Sequence, residues 1–188
     1  MIKKIIAISI FVSSLYAVEY KDENKTNLVD LNMFVGLEYG ISYNNNDEFD
    51  DLLQAYGLYA GTPIYNGIEL IAKYKQQNSS SYDSEQKSIT VNFPISGKYT
   101  REVYMGAIVG ESSLEFFNEE VTNKSLNDKR YDGSFYGLHL GKRFNYTRNF
   151  AIRIEAEYLY YGDTVKAGNN NYDITDSVEL LYGLEYRF

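Results

Sequence analysis

The sequence contains no cysteine and no tryptophan, only two prolines and a single histidine in 188 residues. Without thiols there is no disulfide framework and no acceptor for a lipoprotein anchor. With so little proline, strand ladders run almost uninterrupted. One histidine, His139, leaves little material for nucleophilic or general-base catalysis. Basic residues are also scarce: 18 Lys and Arg against 26 Asp and Glu give a formal charge of −8, which argues against a nucleic-acid binder. Beyond the N-terminal segment, no stretch supplies the roughly 20 apolar residues of a membrane helix.

What the chain has instead is aromatic residues, 20 Tyr and 10 Phe, far more than a disordered acidic chain carries. Its start reads as a secretory signal. Lys3 and Lys4 precede an apolar run from Ile5 to Val12, and Leu15-Tyr16-Ala17 fits a small-residue cleavage site. The expected division is a cleaved signal over 1–17, a short periplasmic tail over 18–29 and one domain over 30–188. Loss of Lys3 and Lys4 leaves 16 basic against 26 acidic residues, a charge of −10.

The domain is written in period two. In the closing segment, Val178, Leu180, Tyr182, Leu184, Tyr186 and Phe188 share one face, and Glu179, Leu181, Gly183, Glu185 and Arg187 the other. Apolar on one face and charged on the other suits a strand with lipid outside and a polar interior. Eight such stretches are expected. The first covers roughly 31–43, with Glu38 on its polar face. The third sets Ile68, Leu70, Ala72 and Tyr74 against Glu69, Ile71, Lys73 and Lys75, after an Asn66-Gly67 turn. The fourth, around Ile89–Phe93, stops at Pro94. The sixth opposes Tyr136, Leu138, Leu140 and Phe144 to Gly137, His139, Gly141 and Arg143. The seventh opposes Phe150, Ile152, Ile154, Ala156, Tyr158 and Tyr160 to Arg153, Glu155 and Glu157. The second (about 52–62) and fifth (about 101–114) do not declare which residues face inward.

The expected connections alternate in length. Short ones fall near Asn66, Ser96 and 145–149; longer polar ones cover 44–51, 76–86, 115–130 and 162–176. Transmembrane barrels place short turns in the periplasm and long loops outside. Phe93, Phe144, Phe150, Tyr186 and Phe188 then cluster at the periplasmic ends, and Tyr43, Tyr74, Tyr158 and Tyr160 at the outer ends, as two aromatic girdles.

The ending Gly183-Leu184-Glu185-Tyr186-Arg187-Phe188 resembles the C-terminal signal that outer-membrane barrels present to their assembly machinery. With the strand count and loop pattern, the chain resembles the small eight-stranded family of the outer membrane protein A barrel, outer membrane protein X and the opacity proteins. That resemblance covers about 30–188. It implies an all-β, eight-stranded antiparallel up-and-down transmembrane β-barrel in the bacterial outer membrane, with Gly183, Tyr186 and Phe188 as the recognised positions. It also implies outer-membrane lipid and lipopolysaccharide as surroundings, the barrel assembly machinery as partner and a monomer; a cell-wall tether of the outer membrane protein A kind is not expected.

The inward set is expected to be Glu38, Glu69, Lys73, Lys75, Arg143, Arg153, Glu155, Glu157, Glu179, Glu185 and Arg187. An eight-stranded barrel is only wide enough for side chains to fill, and buried charges must pair. A polar network that plugs the barrel is therefore expected, with Arg153–Glu185 as its best pair; the alternative is a narrow, low-conductance pore. Some barrels of this size modify lipid A, but no serine stands within two residues of His139, so no enzymatic activity, cofactor or metal is expected. Function falls to the acidic outer loops as a structural or surface-interaction role. The segment 44–51 holds four carboxylates in eight residues, without the glycine and final glutamate of an EF-hand. The segment 115–130, with Phe116, Phe117, Val121 and Leu126, offers an apolar patch for a surface ligand.

Overall fold

Period-two alternation sustained over eleven to sixteen residues leaves an extended chain one way to bury its charges: a sheet curled on itself with the charged face inside. The computed structural model describes residues 33–45, 52–65, 67–79, 82–95, 102–116, 130–161, 164–167, 170–173 and 176–188. The expected signal and tail, and most of the two loop segments singled out above, lie outside these residues. The strands are β1 (Phe34–Asn45), β2 (Leu52–Tyr65), β3 (Ile68–Asn78), β4 (Tyr82–Pro94), β5 (Val103–Phe116), β6 (Arg130–Asn145), β7 (Phe150–Tyr161), β8 (Thr164–Ala167), β9 (Asn170–Asp173) and β10 (Asp176–Arg187). All but β8 and β9 form one closed ring of eight, in the order β1-β10-β7-β6-β5-β4-β3-β2. Every pairing in it is antiparallel. Closure joins β1 to β10, from Phe34 opposite Arg187 to Asn45 opposite Asp176. β8 and β9 form a small hairpin of their own within the connection from β7 to β10.

The wall is inside out relative to a soluble protein. Leu138 and Leu184 on the outer face are 63% and 64% exposed, while Arg153 and Glu179 are 1% and 0% exposed. Leaving such a belt in water would be strongly unfavourable, so the barrel spans a bilayer. Aromatic side chains edge the belt. Phe150, Tyr186 and Phe188 stack edge-to-face at the end that holds the C-terminus, with centroids 5.0 and 5.2 Å apart. Tyr136 and Tyr160 pair at the opposite end. At the C-terminal edge, Phe188 N donates to Met33 O and Arg187 N donates to Asn149 O, so the last residues are held by backbone bonds on both sides.

Strands β2 and β5, undecided from polarity, resolve with Leu53, Ala55 and Tyr59, and with Tyr104, Ile108 and Ser112, inside. Glycines on the inner face make room for bulky neighbours. A Cβ at Gly36 would stand 2.2 Å from the Tyr59 ring, and one at Gly106 would stand 2.2 Å from His139 Nε2.

The expected loop at 76–86 is a correction. β3 continues to Asn78 and β4 begins at Tyr82, so only 79–81 connect them, whereas the opposite end uses 95–102 between β4 and β5. The strict alternation of short and long connections fails at this pair. The cause is physical: Gln76, Asn78, Asp83, Glu85 and Lys87 point outward where the strands rise above the apolar belt. Their polarity imitates a loop while the backbone ladder persists. The remaining connections keep the expected contrast, from the tight turn at Gly67 (φ 79°) and the four residues 146–149 to the long stretches 117–129 and 162–175.

Candidate functional site

Among the described residues, the lumen holds six carboxylates (Glu38, Glu69, Glu155, Glu157, Glu179, Glu185) and five cations (Lys73, Lys75, Arg143, Arg153, Arg187) that form its charge network. All eleven of the residues expected from the sequence to face inward point into it. Arg187 is the most accessible, with its side chain 18% exposed near the mouth on the side of the C-terminus. Alternation places them: each lies on the inward parity of its strand, and β3 stands diametrically opposite β7 in the ring of eight. Lysines of β3 therefore reach across the full width of the barrel.

Toward the far end, Lys73 Nζ donates to Glu155 Oε2 at 2.5 Å and to Glu157 Oε1 at 2.7 Å, and lies 3.5 Å from Glu38 Oε2. Lys75 Nζ donates to Glu157 Oε2 at 2.9 Å and also to Glu179, which accepts a further bond from Gln77 Nε2 at 2.7 Å. Toward the mouth near the C-terminus, Arg143 donates both terminal nitrogens to Glu69, at 3.0 and 2.9 Å, in the fork geometry that suits a carboxylate. Its Nη2 also donates to Glu185 at 3.2 Å. Its Nε lies 3.0 Å from Glu185 Oε1 without hydrogen-bond alignment.

Arg153 joins the two halves. Its Nη1 donates to Glu185 Oε2 at 3.3 Å, its Nη2 donates to Glu155, and its Nε donates to Tyr104 Oη at 2.9 Å. Tyr104 in turn donates to Glu155 Oε1 at 2.6 Å. The guanidinium is lined by the rings of Tyr59 (4.7 Å) and Tyr104 (5.1 Å), a cation–π arrangement in a desolvated site. Tyr104, Gln77, Tyr59 and Phe34 belong to this network and escaped the sequence reading. For Tyr59 and Tyr104 the reason is that strands β2 and β5 carry apolar residues on both faces.

His139 is buried at 4% exposure, tilted against Tyr104 at 5.8 Å, and faces Glu157 in register. Ligand atoms of His139, Glu155 and Glu157 lie within 4.8 Å of one another. The Lys73 ammonium already bonds both carboxylates, so the charge a metal would supply is in place and the triad is read as part of the ion-pair network. No serine flanks the ring in its cross-strand rows, which run through Gly106 and Glu157.

Of the C-terminal residues singled out, Gly183 faces the lumen while Tyr186 and Phe188 face outward, 37% and 59% exposed.

The sequence matches no protein-family model and no curated protein. The fold does match solved structures. Neisserial surface protein A aligns with a TM-score of 0.67 at 15% identity, over 83% of this chain and 97% of that one. Outer membrane protein H (OprH) from P. aeruginosa aligns with a TM-score of 0.54 at 21% identity, over 84% and 99% of the two chains. The outer membrane protein OprG from Pseudomonas aeruginosa gives 0.51 at 13% identity, over 84% and 96%.

Proposed function

We propose that this chain, which has the fold of the small eight-stranded outer-membrane barrels, is an integral outer-membrane protein with a structural and surface-interaction role. In this reading its lumen is an ion-pair plug, and its acidic outer loops meet lipopolysaccharide and any surface ligand. The observation that carries the reading is the lumen-wide network: Lys73 and Lys75 on one wall bond Glu155, Glu157 and Glu179 on the opposite one. Hydrated ions cannot pass a section of barrel filled by mutually bonded side chains without breaking those pairs, at several kcal/mol each. The proposed periplasmic end is the one holding the C-terminus, where the outward-facing Tyr186 and Phe188 are available to assembly machinery.

Single-channel recording of the refolded barrel in planar lipid bilayers tests the plug. Silent bilayers containing folded protein are expected. Reproducible current steps whose selectivity changes when Glu155 and Glu157 are neutralised would replace the plug with a pore.

A further inference from the structure

The ion pairs occupy β1, β3, β7 and β10 and one end of β6, but the opposite wall is built differently. β4 presents Gln86, Thr90 and Asn92 to the lumen, all at 2% exposure or less, and none of them carries a charge. Five of the nine buried polar atoms without a partner among the described residues gather on this wall: Gln86 Oε1, Thr90 Oγ1, Asn92 Oδ1 and both ring nitrogens of His139. His139 belongs to the same row of the sheet, since Gly106 of β5 stands opposite both His139 and Asn92. The lack of a side chain at Gly106 lets the imidazole lie across toward β4.

Polar contacts continue on either side of this gap. Below it, Asn92 Nδ2 donates to Glu69 Oε2 at 3.4 Å, and Glu69 lies 3.8 Å from the partly exposed Arg187 at the mouth. Above it, Gln86 Nε2 donates to Tyr161 Oη at 2.8 Å, and Tyr161 Oη lies 3.4 Å from Ser177 Oγ. Ser177 stands opposite Asn44, one residue from the end of β1. Buried polar groups in proteins take hydrogen-bond partners, and where side chains do not supply them, water bound by two to four polar groups does.

We propose that the wall formed by Asn92, Thr90, His139 and Gln86 holds a file of ordered water, which joins the two bonded segments into a continuous hydrogen-bonded path for protons beside the ion-pair plug. The proposal rests on the plug reading: the path conducts protons by exchange along hydrogen bonds, while the ion pairs exclude hydrated ions. His139 contributes two ring nitrogens, one donating and one accepting when neutral, which suits a relay position. The groups facing it are Tyr104 of β5, Arg153, Glu155 and Glu157 of β7, and Lys73 of β3.

The test uses the full barrel reconstituted in vesicles loaded with a pH-sensitive dye, with a potassium ionophore to compensate charge. A pH step is expected to dissipate faster than in protein-free vesicles. Thr90→Val, which keeps shape and removes the hydroxyl, should slow it about three- to tenfold, the effect of losing one hydrogen bond from the path. Thr90→Ser should retain the rate. Should Thr90→Val fail to fold, Tyr161→Phe breaks the path at its other end and should slow it likewise. Dissipation equal to protein-free vesicles, or unaltered by a folded variant, overturns the path. Planar-bilayer recording of the same preparation separates the two readings: current steps overturn the plug, while silent bilayers without proton flux overturn only the water file.

Discussion

Replacing Lys73 with methionine removes the one group among the described residues that pairs with three carboxylates at once. In the folded barrel its ammonium lies 2.5, 2.7 and 3.5 Å from Glu155, Glu157 and Glu38, with 2% of the side chain exposed. Methionine fills similar volume, so the loss is electrostatic. Glu155 keeps Arg153 and Tyr104, and Glu157 keeps Lys75. Glu38 keeps no cation within ion-pair distance among the described residues. Breaking a buried pair in this way typically costs about 3–5 kcal/mol, or two to four orders of magnitude in the folding equilibrium. Adding Glu157→Gln should restore part of that, because Glu157 bonds only the two lysines. A coupling of about 1–3 kcal/mol is expected between these neighbouring sites. The assay is a urea titration of the barrel in lipid vesicles, followed by far-ultraviolet circular dichroism, since the chain has no tryptophan. An unchanged midpoint for Lys73→Met, or strictly additive losses in the double variant, would refute the network as a source of stability.

Gly106→Ala puts a methyl group 2.2 Å from His139 Nε2 and 2.4 Å from Val91 O, so the folded yield should fall sharply. Pairing it with His139→Ala should recover only part, because the backbone contact remains; refolding yields on unheated gels check both. Leu138→Arg, at a position 63% exposed on the lipid face, should cost about 2–4 kcal/mol if Leu138 lies near the bilayer midplane, measured by the same urea titration. Deleting Phe188 should lower the amount of barrel assembled in cells while leaving refolding in vitro nearly intact. Equal losses in both settings would make Phe188 a stability residue and remove its proposed role as an assembly signal.

Polarity alternation made β1, β3, β6, β7 and β10 readable because in those strands lipid selects one face and the charge network the other. Arg153 and Glu185 were identifiable as a pair because both lie on inward parity in adjacent strands, and they stand 3.3 Å apart. The same logic fails for β2 and β5. There Leu53, Ala55, Tyr104 and Ile108 line the lumen, so both faces look apolar. Their inner faces follow a rule of size, not polarity: a glycine stands where a neighbouring strand delivers Tyr59, Phe34 or Tyr104. Such a rule requires the cross-strand register, which a single sequence does not supply. Above the belt the outer face becomes polar on β4 and β5, and a pattern built on lipid contact ends before the strand does.

On its inner face the ladder pairs like with like at two points, and this explains why the network spans the barrel. Arg143 stands directly opposite Arg153, and Glu157 directly opposite Glu179. Like charges opposed across strands are destabilising, so these two pairs need counter-charges from other positions. Part of the relief is local, since Glu185 of β10 contacts both Arg143 and Arg153. The rest comes from across the ring: Lys75 of β3 bonds both Glu157 and Glu179, and Glu69 of β3 bonds Arg143. The contacts from β3 join residues 74 to 104 positions apart in sequence. Every one of them requires β3 to have closed against the far wall. The charges therefore favour the complete ring over a partial sheet: Arg143 and Arg153 find Glu185 within the β6-β7-β10 sheet, but Glu157 and Glu179 meet Lys73 and Lys75 only when β3 faces them across the closed barrel.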